Sequence, residues 1–337
     1  MPQQVRFTTQ NTVAYVANGR QREKLDRGMV YRELYLKLTA TVAVAGGGTT
    51  TAAANIQPGD IWGVVRNINL LLNSNDSIRN ISGEQLAWLN FFQYSTPPRA
   101  TTNIIGITAT NSAIVESWLV LPLWMPNSVK PIDTALDARL LSDFSIEITW
   151  GDETDIGSGT GFGFDVDPVL EVFGLQSFGV NGPFNTMRIF DIVNTGIAQN
   201  SQYRVDLPVG NMYRAFLINA KDGNGDDDPD LIGNVKLVSG PTVFCDMDYD
   251  TVRNAMFQRT GMREVLAAGG GSVLPYFLSS GSDLDAWTYL DLVTDGLVTE
   301  AIDTLGFSEL KLEFDVLGTI SALHVMPIEV IPLRSQG

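Results

Sequence analysis

The sequence predicts an all-β chain built from two tandem domains, each carrying one short helix. Three observations predict it. Apolar and polar residues alternate at the period of a strand through most of the chain. Gly, Pro, Asn and Asp punctuate the intervals. A block of strand, turn, strand, helix cap and helix occurs twice, about half a chain apart. The 337 residues suit two domains of about 150 better than one. No βαβ pattern and no Gly-rich phosphate loop is present, so the class is sandwich or barrel.

The elements follow in order. Residues 1–27 are expected to be a polar N-terminal basic arm. Residues 31–44 (YRELYLKLTATVAV) alternate and are rich in β-branched types, and 61–73 (IWGVVRNINLLLN) are similar. The turn Asn73-Ser74-Asn75-Asp76 leads to a short extended piece. Ser82 then caps a helix, with Gln85 three residues on completing a capping box. Leu86, Leu89 and Phe92 lie on roughly one helix face, and Pro97-Pro98 ends it. Strands are expected at 112–124 and 143–150. The second half continues with 186–193, 202–209, 213–220, 233–239, 286–293, 309–317 and 322–333. Between them, residues 234–261 repeat the block: strand, Ser-Gly-Pro turn, short strand, and a cap at Asp248. Val252, Met256 and Phe257 form the apolar face, and Gly261 is the stop. Ser82 and Asp248 are 166 residues apart (248 − 82). That spacing points to a duplicated β domain rather than two unrelated ones. The junction is expected at 174–185, which is rich in Gly and Pro.

Composition limits the chemistry. The single histidine, His324, sits in an apolar stretch expected to be a core strand, where a structural role suits it better than catalysis. One His and one Cys, Cys245, cannot supply the ligands of a usual zinc site, and no internal disulfide is possible. Paired carboxylates would suit a glycosidase, and Glu147, Asp165, Asp291 and Glu313 lie on or beside strands. Trp62, Trp88, Trp118, Trp124, Trp150 and Trp287 lie in apolar runs, where core packing accounts for them. The most apolar segment, 317–333, is broken by His324, Pro327, Glu329 and Pro332, short of the roughly 20 apolar residues a spanning helix needs. The N-terminus MPQQVRFTTQ lacks the apolar core of a secretion signal.

One acidic stretch, DGNGDDDPD, places Asp222, Asn224, Asp226, Asp228 and Asp230 at every second position. This matches the first half of a calcium loop, without the closing glutamate, since Gly233 stands twelfth. The alternative is a plain acidic turn between strands. Charge is uneven along the chain. Residues 1–37 hold seven Lys/Arg and three acids, +4 net, so the other 300 carry −20 of the total −16. An acidic body with no basic stripe argues against sequence-specific nucleic-acid binding. The basic end either is solvated or meets an anionic surface. If 18–28 is helical, Arg20, Lys24 and Arg27 share a face, with Arg22 beside them; each cation near an anionic bilayer contributes on the order of 1 kcal/mol.

This layout resembles the double jelly-roll major capsid proteins of tailless icosahedral viruses, especially phages with an internal membrane. The resemblance rests on residues 28–42, 66–92 and 233–257 and on the overall arrangement. It implies two eight-stranded jelly rolls, at 28–176 and 184–334, each with an inserted helix. It also implies homotrimers shaped as pseudo-hexamers, tiling an icosahedral shell over a membrane, with no enzyme activity and no cofactor beyond a possible calcium. The basic arm would face the membrane, and loops 45–56, 151–163 and 221–230 would face outward. The implied partners are further copies, vertex (penton) and minor capsid proteins and the viral membrane. The implied location is the virion, with the host cytoplasm before assembly. The other reading is a carbohydrate-binding or glycan-cleaving β-sandwich adhesion protein.

Overall fold

The computed structural model describes residues 4–44, 60–94, 112–156, 162–180, 185–260, 287–293 and 295–332. The expected outer loop 45–56, most of the glycine-rich end of 151–163, the prolines after the first helix and Gly261 lie outside them. The described chain divides into two compact units. The first holds residues 4–126 and 131–180; the second holds 127–130 and everything from 185 onward.

In the first unit, alternation of buried and outward residues builds strands in chain order. They are β1 (Gln4–Ala14), β2 (Arg20–Lys24), β3 (Val30–Val44), β4 (Val65–Leu72) and β5 (Asp76–Ile81). The helix α1 (Gly83–Tyr94) follows, then β6 (Ser112–Pro122), a two-residue β7 (Leu136–Asp137), β8 (Phe144–Trp150) and β9 (Phe162–Phe178). Leaving β7 aside, there are eight main strands. They pair as β1-β9-β3-β6 and β5-β4-β8-β2. Counted along the chain, the orders are 1-8-3-6 and 5-4-7-2, the two sheets of a jelly roll. Leu34, Leu36 and Leu38 on β3, Ile68 and Leu70 on β4, and Ile146 and Ile148 on β8 are fully buried. Each such side chain contributes about 1.5–3 kcal/mol of burial.

The second unit repeats this plan. Its strands are β10 (Asn185–Phe190), β11 (Ile192–Ile197), β12 (Asn200–Leu207), β13 (Met212–Lys221), β14 (Ile232–Ser239) and β15 (Thr242–Asp248). Then come α2 (Tyr249–Thr260), β16 (Trp287–Asp291), a two-residue β17 (Ile302–Asp303), β18 (Leu310–Val316) and β19 (Ile320–Pro332). β10 and β11 are one strand interrupted at Asp191, since both pair with β19. The sheets are β16-β13-β19-β10 and β12-β18-β14-β15, again 1-8-3-6 and 2-7-4-5. The core lies between them, with Phe216, Ile218, Leu237, Leu312, Phe314, Leu323 and Val325 at its centre.

The halves match beyond topology. Tyr31 opens β3 and Tyr213 opens β13. Each hydroxyl donates to a main-chain carbonyl five residues earlier, Asp26 O and Pro208 O respectively. The arginine after each tyrosine accepts, through its carbonyl, the N–H of a residue just past the sixth main strand: Leu123 N to Arg32 O, and Leu292 N to Arg214 O. Two residues before each tyrosine, Met29 O and Asn211 O receive Ala138 N and Thr304 N. Two domains folded independently have no reason to share three such bonds, so the duplication stands at the level of hydrogen bonding.

Three expectations are corrected. Residues 1–27 are not a separate arm, because 4–14 and 20–24 are the first two strands of the first jelly roll. β1 pairs with β9 and β2 with β8, each at the edge of its sheet, where polar side chains face water. The first jelly roll therefore starts near residue 4 rather than 28. The junction is shorter than expected, since β9 runs to Phe178 through the glycines of 174–185. Gly174 sits inside that strand because a Cβ there would meet Tyr31 Cε1 at 2.8 Å and Gln10 Nε2 at 3.1 Å. Finally, α1 is not amphipathic. Its residues 85–93 are all buried, whereas α2 buries Tyr249, Val252 and Met256 and exposes Asp250, Thr251, Asn254 and Ala255.

Candidate assembly surface

The groups expected to carry chemistry are dispersed or already engaged. His324 lies within β19, opposite Val193 and Asn219, and its Nδ1 is 2.7 Å from Asp191 Oδ2. Three of the four candidate carboxylates face arginines rather than one another. Glu147 is 3.5 Å from Arg20, Glu313 2.8 Å from Arg204 and Asp291 4.0 Å from Arg214. Asp165 is exposed on β9. Trp62, Trp88, Trp150 and Trp287 are core residues. Trp118 and Trp124 are partly exposed. Trp118 stacks on Phe173 at 5.6 Å, and Phe173 on Phe7 at 5.8 Å, making an aromatic strip on the coreless face of β1-β9-β3-β6.

The acidic stretch folds as a connection between β13 and β14 that satisfies its own main chain. Asp222 Oδ1 accepts from Asn224 N at 2.8 Å and Asp226 N at 3.0 Å. Those N–H groups hold the Asp222 carboxyl below the usual carboxylate range. Asp228 Oδ1 accepts from Asp230 N at 2.9 Å and caps the short turn that follows. Asn224 Nδ2 donates to Asp222 Oδ2 at 3.0 Å. Among the described residues, no three His, Cys, Asp or Glu side chains gather where a metal ion could sit.

The basic N-terminal residues share a face for a different reason from the one expected. Arg20, Arg22 and Lys24 are every second residue of an edge strand, and all three are exposed. Arg22 also binds Asp143 at 2.9 Å, while Arg27, past the strand, donates to the carbonyls of Leu141 and Ser142.

The remaining prominent features are edges and buried polar groups. Asn90 of α1 lies against the edge strand β6, its amide donating to Val120 O and accepting from Val120 N, both at 2.6 Å. On β3, Glu33 accepts from Tyr35 Oη, Trp124 Nε1 and Tyr94 Oη at 2.6, 3.0 and 3.1 Å. In the second unit Glu329 is fully buried, with Asn211 Nδ2 at 3.0 Å and Arg188 Nη1 at 3.8 Å. Burial pushes its carboxyl up, against the opposing pull of Tyr213, Arg188 and Asn211. Among the described residues, the edge strands β1 and β15 each pair on one side only and expose Val5, Phe7, Val243, Phe244 and Met247. These strand edges are the prominent surface features among the described residues. Sequence reasoning missed Asn90, Glu33, Tyr31 and Tyr213. The repeated Tyr-Arg pair at 31–32 and 213–214 was a signal for the last two.

No protein-family model matches the chain, and no curated protein matches it. Solved structures do, over essentially the whole length. The STIV MCP crystal structure matches with a TM-score of 0.74 at 12% identity, covering 98% of this chain and 97% of that one. The major capsid protein P2 from Bacteriophage PM2 matches at 0.62 and 14% identity, covering 99% and 100%. The PBCV-1 virus capsid matches at 0.60 and 6% identity, covering 98% and 95%. The chain thus has the double jelly-roll fold of major capsid proteins.

Proposed function

We propose that this chain is a major capsid protein, a structural subunit without catalytic activity that resides in the virion. The observation that carries the reading is the pair of complete, equivalent jelly rolls joined by only a few residues, which is the fold of the capsid proteins it matches end to end. Three chains bring six such barrels around one axis, so a homotrimer approximates a hexagon and can tile an icosahedral shell. Closed symmetry repeats the same contacts, and obligate interfaces of this kind exceed about 2,000 Å². The subunit is held in the host cytoplasm before assembly, and its −16 net charge keeps free copies apart there. Vertex and minor capsid proteins complete the shell.

The exposed row Arg20, Arg22 and Lys24 is the surface we assign to an underlying anionic membrane. Charge reversal of the row is expected to weaken binding to anionic liposomes in a salt-dependent way. The direct test of the subunit reading is light scattering on the purified chain. A species of about three times 36.7 kDa that persists on dilution is expected, and a monomer at micromolar concentration contradicts it.

A further inference from the structure

The two units repeat strand for strand, yet they differ in which edges are covered. In the first unit the fifth main strand, β5, is buried at Ile78, Arg79 and Ile81. Its counterpart β15 is exposed at six of seven positions. The first main strand behaves the opposite way. In the second unit the β10 part of that strand is buried at Thr186, Met187 and Ile189, although its β11 part exposes Val193, Thr195 and Gly196, whereas the counterpart β1 is exposed along most of its length. Among the described residues, one fifth strand and one first strand are therefore left bare, each in a different half.

Two other edges are blunted in the ways edges usually are. β2 carries Arg20, Arg22 and Lys24, and Asn90 closes on β6. β1 and β15 contain no lysine. They present large hydrophobics instead: Val5 at 51% and Phe7 at 54% exposure on β1, Val243 at 48%, and Phe244 and Met247 at 37% each on β15. Their charges are opposite. Arg6 is the only charged residue of β1, and Asp246 and Asp248 are the only ones of β15.

We propose that β15 of one copy adds as a further strand to the bare edge of β1 in a second copy. Unpaired main-chain N–H and C=O groups on the two edges satisfy one another, as in β-augmentation. Apolar side chains cover apolar side chains, and Arg6 comes within reach of the β15 acids. A second copy is the occupant because one chain carries both halves of the joint. The contact uses two different patches, so it is heterologous, and each copy donates one edge and accepts at the other. Closure after three copies rests on the trimer reading above; the strand addition does not.

The test replaces Cys245→Ser and introduces Val243→Cys together with either Val5→Cys or Phe7→Cys, followed by mild oxidation. Covalent multimers on non-reducing gels are expected from at least one pair and from neither single variant. In parallel, Phe7→Glu with Met247→Glu is expected to raise the dissociation constant of the assembly about 100-fold, with only a modest fall in the thermal unfolding temperature of the free chain as Phe7 leaves its stack on Phe173 and its edge contact with Tyr35. A native trimer that yields no covalent multimers from either pair, and whose Phe7→Glu, Met247→Glu variant associates as before, overturns the strand addition while leaving the trimer. Cross-linked dimers or filaments without trimers uphold the strand addition and overturn threefold closure. A monomeric native chain overturns both.

Discussion

Asn90 stands in for a strand. Its side-chain amide gives β6 the two hydrogen bonds that a neighbouring main chain would give, and it does so from a helix buried on all sides. Removing it leaves a part-buried donor and acceptor on Val120 without that partner, so Asn90→Ala is expected to cost about 1–3 kcal/mol, measured as a shift in denaturant midpoint. Nothing in the local pattern marks this asparagine, because its partner is 30 residues away on another element. Glu329 gives a pH signature. Its folded carboxyl is raised above the ordinary 4.5, so the folded chain holds this proton more tightly than the unfolded chain does. Its contribution to stability therefore falls as pH rises from 4.5 toward the folded value. Glu329→Gln is expected to remove that fall, seen as a flatter stability profile from pH 4.5 upward. A profile unchanged by the substitution would contradict the assignment. Asp222 runs the other way: its lowered carboxyl loses its contribution only as pH drops below the usual carboxylate range.

At the scale of elements, the tyrosines that open β3 and β13 pin equivalent corners of the two jelly rolls. Tyr31→Phe and Tyr213→Phe each strand a main-chain carbonyl and are expected to cost about 1–2 kcal/mol in thermal or denaturant unfolding. Since they belong to different units, the double variant is expected to add within about 0.5 kcal/mol. The central strands were legible because burial on one face imposes strict alternation, as along Leu34, Leu36 and Leu38. Both caps were legible for a similarly local reason. Ser82 and Gln85 form the reciprocal box at 3.0 and 2.9 Å, and Asp248 accepts from Thr251 N at 3.1 Å. The misses share a cause. β1 and β2 are edge strands exposed along most of their length, so burial imposes little alternation on them, and β9 carries Pro168, Gly163 and Gly174, which read as breakers. In β9 the glycine answers a packing demand from Tyr31 and Gln10 that sequence spacing cannot convey.

For the whole molecule, the duplication was visible as the 166-residue interval between Ser82 and Asp248, but the first and second copies are not evenly spaced. Tyr31 and Tyr213 are 182 apart (213 − 31), because β3 is longer than β13 and the connection from β3 to β4 is longer than that from β13 to β14. The acidic loop was legible as composition and not as geometry, since Asx-type hydrogen bonds to nearby N–H groups compete with metal ligation for the same oxygens. The central claim is that two equivalent barrels in one chain make a shell subunit. Negative-stain electron microscopy of the purified protein tests it most directly. Six lobes of near-equal density around a threefold axis are the expected projection; isolated two-lobed particles, with no higher assembly at any concentration, would contradict it.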